Sequence, residues 1–152
     1  MRAPLSPSQE RLWLLQRLDP ADASYTMYTV RRLRGPLDAD ALEGALADVV
    51  ARHEGLRTRF EEEDGVPWAV AGPPGAAESV PPVERIQADD EEHARRIVAE
   101  RVNAPFDLAE GVPLRVALIA IGALDHVLCV TMHHIIGDGW SLGILFDDLA
   151  EC

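Results

Sequence analysis

The chain has 152 residues, of which 47% are hydrophobic, and its formal net charge is −12 at pH 7. This is enough apolar sequence for one core, and one domain is the expected number for this length. The acidic balance argues against a nucleic-acid partner, because phosphate binding needs clustered Lys and Arg. No run of eighteen apolar residues and no signal-peptide pattern occurs, so we expect a cytoplasmic protein without a membrane span.

A helix followed by a strand is predicted at the start of the chain. Ser6 or Ser8 can act as the N-cap of the helix, and Pro20 ends it. Trp13 lies among leucines at helical spacing and is expected in the core. The segment 25–33 is rich in Tyr, Thr and Val, which is typical of a strand.

The second predicted helix has the clearest amphipathic pattern in the chain. It starts at Asp38 or Asp40, and apolar residues then recur at spacings of three and four. We expect Gly55 to end it, because glycine readily adopts the left-handed conformation that closes many helices.

The middle of the chain predicts a hairpin, a connector and a third helix. Strands over 56–60 and 66–70 flank an Asp-Gly turn signal. The segment 71–82 is rich in Gly and Pro and is interpreted as a loop. A short strand over 83–86 then precedes a helix over 90–102, whose acidic start suits the positive end of the helix dipole.

Two apolar strands and a helix are predicted in the last third. The strands, 113–119 and 126–132, are separated by a short turn and should pair antiparallel. Cys129 lies in the second strand and is interpreted as a buried apolar side chain. Leucine spacing predicts a helix over 140–149. Because helices and strands alternate without a strict βαβ rhythm, we predict an α/β (α+β) sandwich with helices against a mixed sheet.

The segment 127–141, VLCVTMHHIIGDGWS, joins a buried strand to a polar loop and a helix. His133 and His134 lie at the strand end, where successive side chains point to opposite faces. We expect one of them to be packed and the other to face a cleft, where a histidine can move a proton near neutral pH. Opposite faces also argue against a metal site formed by both histidines and Asp138.

Three motifs resemble those of the condensation domains of nonribosomal peptide synthetases. HHIIGDG resembles their HHxxxDG motif, and more loosely the motif of the chloramphenicol acetyltransferase-like acyltransferases. LSPSQERLW at 5–13 resembles the first condensation-domain motif, and RHEGLRTRF at 52–60 resembles the second. The Pro-Phe-Asp-Leu segment at 105–108 is also common in these domains. The motifs stand in the family's order and together span most of the chain.

The resemblance implies a chloramphenicol acetyltransferase-like lobe and peptide-bond formation. In that reaction the amine of one carrier-bound aminoacyl thioester attacks a second carrier-bound thioester. The implied partners are donor and acceptor peptidyl carrier domains, which hold the substrates on phosphopantetheine, and an adjacent adenylation domain. No metal and no directly bound cofactor is expected. The implied setting is secondary metabolite biosynthesis, antibiotics included.

The motif also assigns roles to individual residues. His134 matches the family's catalytic histidine, which acts either as a general base or as a positioning and stabilising group. Gly139 is placed with it, because glycine lets the backbone approach the reaction centre. His133 matches the structural first position of the motif. Asp138 is expected to pair with an arginine and hold the loop.

Three arginines are candidates for the partner of Asp138. Arg57 is preferred, and Arg11 and Arg52 are its rivals.

The order Trp140-Ser141 after the motif favours a peptide-forming domain over an epimerising one. A cyclising domain is excluded, because it has aspartates where this chain has histidines. A CoA-dependent acyltransferase of the same superfamily is one alternative. The family has two lobes, and residues 1–152 match the N-terminal lobe through HHxxxDG with the C-terminal lobe absent. A further alternative is therefore a non-catalytic lobe or split fragment that acts only by association with a completing partner.

Overall fold

A computed structural model describes residues 1–151, and Cys152 lies outside the described residues. Two short 3-10 turns, Glu54–Arg57 and Ala77–Ser79, accompany the regular elements. The helices of the described part are α1 (Pro7–Leu18), α2 (Ala39–Arg52), α3 (Glu91–Asn103) and α4 (Gly139–Glu151). Its strands are β1 (Arg2–Pro4), β2 (Thr26–Arg34), β3 (Thr58–Glu63), β4 (Val66–Ala71), β5 (Val83–Gln87), β6 (Leu114–Gly122) and β7 (Asp125–His133).

A four-stranded mixed sheet with the order β2-β7-β6-β5 forms the centre of the molecule. β7 pairs antiparallel with both β2 and β6, as the predicted hairpin between the last two strands requires. β5 pairs parallel with β6. A second sheet, with the order β1-β4-β3, is antiparallel throughout. The predicted fold class, a mixed sheet with helices packed against it, is confirmed.

β7 is buried on both faces because helices cover both sides of the central sheet. Its residues from Val127 to His133 are all buried. On one face Val130 and Met132 pack with α2 and α4. On the other face Val127 packs with α3 through Ala94 and Ile97. The strand that ends at His133 therefore packs into two core clusters, one on each face.

Side-chain caps fix where the helices begin. Ser6, rather than Ser8, caps α1, and Gln9 completes a capping box with it. Asp38 caps α2 by accepting hydrogen bonds from two backbone N–H groups, each at 3.0 Å. Asp90 caps α3 through the N–H of His93. For each of the first two helices the sequence allowed two N-cap residues, and the hydrogen bonds show which of them caps the helix.

The predicted Asp-Gly turn is also present. Asp64 and Gly65 both have positive φ, 52° and 79°, between β3 and β4. Two successive left-handed residues match the twist of a two-residue hairpin.

The predicted role of Gly55 is wrong. α2 ends at Arg52 with His53 as its extended C-cap, and Gly55 lies within the following 3-10 turn. β3 consequently begins at Thr58, two residues later than predicted. Gly55 serves a close contact instead, because an added Cβ would lie 3.1 Å from the carbonyl oxygen of Ile136.

Two further sequence predictions concern Cys129 and membrane spans. Cys129 is 1% exposed in β7, and burial raises the pKa of its thiol, which suits a packed side chain. None of the helices in the described part combines the length and apolarity needed to cross a membrane.

Candidate active site at the end of strand β7

The two adjacent histidines face different environments. His133 is the last residue of β7 and is 3% exposed, whereas the side chain of His134 is exposed. The backbone N–H of His133 donates to the carbonyl of Pro113 at 3.0 Å, and that of His134 donates to Tyr25 at 2.9 Å. The alternation expected at a strand end is therefore present, with one histidine packed and the other free.

His133 is built into the interior as a neutral imidazole. Its Nδ1 accepts a hydrogen bond from the backbone N–H of Ile135 at 3.1 Å, which leaves the proton on Nε2. The rings of Tyr25 and Phe106 lie 6.2 Å from its own. Burial, reinforced by the adjacent His134, lowers the pKa of His133 from 6.5 to about 4. At neutral pH this side chain supports the turn and does not carry charge.

His134 lines an open cleft against the first turns of α1. The cleft has a volume of about 330 Å³, and its other lining residues are Ser8, Arg11, Leu12 and Tyr25. Arg11 thus lines the same cleft as the histidine, and within the described residues it forms no ion pair with Asp138. The cleft combines an imidazole, a guanidinium and a hydroxyl, although the chain as a whole has a net negative charge. These groups can bind a ligand that bears anionic or polar oxygen.

The loop after His134 is held by both earlier motifs. Gln9, from the first motif, donates from Nε2 to the carbonyl oxygen of Ile135 at 3.2 Å. Gly55, from the second motif, packs against the carbonyl of Ile136. Ile135 itself is 3% exposed and belongs to a core cluster with Trp13 and other apolar residues. The three sequence motifs therefore meet at two consecutive residues of the loop.

Asp138 caps helix α4. One oxygen of its carboxylate accepts from both the backbone N–H and the hydroxyl of Ser141, each at 2.9 Å, and its own N–H donates to that hydroxyl at 3.3 Å. These hydrogen bonds lower the pKa of Asp138 below its ordinary value. In the part of the chain that the structure describes, Asp138 makes no ion pair.

The expected pair between Asp138 and Arg57 is therefore wrong. Arg57 lies in the 3-10 turn, its side chain is only 10% exposed, and its Nη1 donates to the carbonyl of Gly72 at 2.6 Å. The N–H of Gly72 returns a hydrogen bond to the carbonyl of Arg57 at 2.9 Å. Arg57 thus fixes the backbone directly after β4. The sequence did not reveal this role, because Arg57 was expected to lie in a strand.

Arg52, the other rival, binds helix α4 at a different residue. Its guanidinium lies 3.6 Å from the carboxylate of Asp148, which also hydrogen-bonds to His53. Asp148 is a supporting residue that the sequence reasoning missed. In the sequence, only its position about three turns after Asp138 along the predicted helix could have pointed to it. An acidic residue at such a position is ordinarily solvated, so this position alone does not predict a partner.

Gly137 and Gly139 differ in their need for glycine. A Cβ at Gly137 would lie 2.8 Å from Met132 Cε and 3.0 Å from Ser141 Cβ. A Cβ at Gly139 would meet no atom of the described residues within 4 Å. The packing of this chain therefore explains Gly137, while the predicted close approach at Gly139 requires something outside the described residues.

Comparison with known proteins places these features in one family. The family model described as "Condensation domain" matches residues 1–152. The chain is 40% identical over 151 residues to a linear gramicidin synthase of Brevibacillus parabrevis. It is 42% identical over 147 residues to the isonitrile lipopeptide synthase of Mycobacterium tuberculosis. These matches cover 98% and 97% of this chain but only 3% and 6% of the two relatives.

Solved structures give the same result. The first condensation domain of the calcium-dependent antibiotic synthetase, in complex with a substrate analogue, is 32% identical with a TM-score of 0.84. The X-domain in its complex with OxyB from teicoplanin biosynthesis is 38% identical with a TM-score of 0.87. The matches cover 99% and 98% of this chain, and 37% and 32% of those chains. A starter condensation domain of rhizomide synthetase, at 22% identity and a TM-score of 0.88, supports the fold alone.

Proposed function

The chain belongs to the condensation-domain family, and from this membership we propose that residues 1–152 form the N-terminal lobe of a domain that makes peptide bonds in nonribosomal peptide synthesis. The substrates are aminoacyl and peptidyl thioesters held on the phosphopantetheine arms of carrier domains. One observation carries the proposal: His134 is exposed in a cleft at the end of a strand that the core holds rigidly. A catalytic imidazole needs both access to substrate and a fixed position.

The reaction that suits this cleft is aminolysis of a thioester. The acceptor amine attacks the donor carbonyl carbon, a carbon–nitrogen bond forms, and the carbon–sulfur bond then breaks to release the donor arm as a thiol. One proton leaves the attacking nitrogen, and the departing sulfur gains one. His134 either accepts the first proton as a general base or orients the amine and stabilises the tetrahedral intermediate.

The neighbouring groups support either role for His134. His133 remains neutral at the strand end, so it adds no charge that would compete with a proton on His134. The guanidinium of Arg11 lines the same cleft and can donate hydrogen bonds to anionic oxygen. This acyl transfer requires no metal and no directly bound cofactor.

The proposed partners rest on family membership and on the size of the relatives. The chain spans a few per cent of the curated synthetases and about a third of the solved condensation domains that it matches. We therefore propose that a C-terminal lobe completes the cleft, and that donor and acceptor carrier domains deliver the substrates from either side. An adjacent adenylation domain supplies the activated amino acid. A cytoplasmic location remains a prediction.

The test uses the native polypeptide that contains this sequence, incubated with loaded donor and acceptor carrier domains. We expect amide formation, and a loss of about a hundredfold or more in the His134→Ala variant, the scale of general acid–base catalysis. A wild-type polypeptide that forms no amide, or a variant that keeps its rate with weakly basic and strongly basic amines alike, contradicts the proposal.

A second candidate function is association without catalysis. The observation that favours it is the 38% identity to the X-domain, whose solved complex contains OxyB. In this case the lobe presents a surface to a partner, and His134 is not needed. Retention of partner binding and of biosynthetic output by the His134→Ala variant would support this candidate over the first.

A further inference from the structure

Gln9 stands at the junction of two hydrogen-bond systems. Its Oε1 accepts from the backbone N–H of Ser6 at 3.0 Å, which closes the capping box of α1. Its Nε2 donates to the carbonyl oxygen of Ile135 at 3.2 Å, 126 positions along the chain. One half-buried amide therefore joins the start of the first helix to the residue directly after His134.

The second of these bonds meets a need of the loop. Ile135 lies beyond the last residue of β7, so no neighbouring strand can pair with its carbonyl in the regular ladder. Its side chain is nevertheless 3% exposed and belongs to one core cluster with Leu5, which precedes α1, and Trp13, which lies within it. The folded chain loses stability if a carbonyl that is fixed beside buried atoms has no hydrogen-bond donor.

Three backbone atoms around His134 are therefore held by hydrogen bonds. The N–H of His134 donates to Tyr25, and the N–H of Ile135 donates to Nδ1 of His133. The carbonyl of Ile135 accepts from Gln9. The acceptor of the first bond directly precedes β2, that of the second is the last residue of β7, and the donor of the third lies on the helix that forms the opposite wall of the cleft. The bond to Gln9 thus couples the position of the His134 backbone to that wall.

We propose that Gln9 is a positioning residue for His134: through the Ile135 carbonyl it holds the imidazole at a fixed distance from the cleft wall formed by Ser8 and Arg11. The catalytic part of this inference rests on the proposed function, whereas the structural part does not. Gln9 acts through the backbone and does not touch the substrate.

Two variants separate the two hydrogen bonds. Gln9→Glu keeps an oxygen acceptor for Ser6, and glutamate is a normal partner in a capping box, but the ionised carboxylate cannot donate to Ile135. Ser6→Ala removes the side-chain cap on the N–H of Gln9 and keeps the donor to Ile135. The first variant therefore tests the loop, and the second is its control for general weakening of α1.

The first measurement is made on residues 1–152 by NMR at neutral pH. In Gln9→Glu we expect the Ile135 and Ile136 amides to exchange with solvent about tenfold faster, as for the loss of one hydrogen bond, and the His134 ring signals to broaden. In Ser6→Ala the acceleration is confined to the first turn of α1. Unchanged loop exchange in Gln9→Glu, or equal loop exchange in both variants, overturns the proposal.

The second measurement is the rate of amide formation by the native polypeptide that contains this sequence. We expect Gln9→Glu to lower kcat about tenfold with little change in KM for the loaded carriers, and Ser6→Ala to leave kcat near wild type. A fall confined to KM, or equal losses in both variants, contradicts a positioning role. If the wild-type polypeptide forms no amide, the proposed function fails, and the NMR result decides the structural part alone.

Discussion

The buried end of β7 and the loop that follows it differ in what determines each residue. At the strand end the backbone, Nδ1 and ring of His133 all have contacts within this chain: backbone hydrogen bonds, the bond from Ile135 and two aromatic rings. In the loop the side chain of His134 is exposed, and in the first turn of α4 Trp140 is exposed and Gly139 has open space around it. Packing within the chain accounts for the first region, whereas the exposed groups of the second make no comparable packing contacts in the described residues.

The largest effect expected on stability is that of His133→Ala. The change removes a buried ring and leaves the N–H of Ile135 without its acceptor, which we expect to lower the free energy of unfolding by about 2–4 kcal/mol. Chemical denaturation measures this. His134→Ala is the matched control, with an expected change within about 0.5 kcal/mol, as for exposed positions. Equal losses at both positions would remove the distinction between the two regions.

His133 also makes stability depend on pH. Because its pKa is lowered from 6.5 to about 4, the unfolded chain binds the proton first as the pH falls. Stability should decline from about pH 6.5 to about pH 4, by about 3 kcal/mol in total, and this contribution should be constant outside that window. His133→Asn keeps an acceptor near the same place but does not titrate. A wild type and variant with parallel pH profiles would contradict this assignment.

The two glycines that flank Asp138 sharpen the comparison further. Gly137→Ala should destabilise the chain by about 1–3 kcal/mol, because the new methyl group meets Met132 and Ser141. Gly139→Ala should leave thermal stability near wild type, since alanine suits a helix and the site is open. If the reaction centre approaches Gly139, this second variant loses amide formation without losing stability. Full activity of Gly139→Ala would end its assignment to the site.

The smallest expected effect is that of Asp138→Asn. Asparagine is nearly as good an N-cap as aspartate, so α4 should persist, while the lost charge at the helix N-terminus should lower the melting temperature slightly. Since hydrogen bonds lower the pKa of Asp138, the difference between variant and wild type should shrink as the pH falls through and below its ordinary value of 3.8. An unchanged melting temperature with unchanged turnover would show that the charge of Asp138 contributes nothing to the loop.

The fold could largely be predicted from local patterns. The periodicity of α2 and α3, the Asp-Gly turn and the apolar run of β7 each report on contacts that follow directly from spacing. The helix starts remained ambiguous between two candidates, because either serine or either aspartate has the chemistry of a cap. The strand β1 was not predicted, since a three-residue segment carries no periodic signal.

The candidate site was predictable only in part. Alternation along a strand is a local property, so the separation of His133 from His134 followed from the sequence. The partner of Arg57 did not, because it depends on how separate segments meet: Arg57 bonds to a loop fifteen residues away. Asp138 bonds to Ser141 within its own helix turn, a local capping pattern that the expected ion pair overlooked. The sequence showed Gln9 only as a member of the first motif, because its hydrogen bond joins it to Ile135, a residue 126 positions away.

The most direct test of the separation between the two histidines is an NMR titration of His133 in residues 1–152, with nitrogen shifts followed from about pH 8 to about pH 5. The account predicts a neutral ring with the proton on Nε2 throughout this range, because Nδ1 accepts from Ile135 and burial lowers the pKa to about 4. A ring that is half protonated near its ordinary pKa of 6.5, or one that carries its proton on Nδ1, would contradict the account.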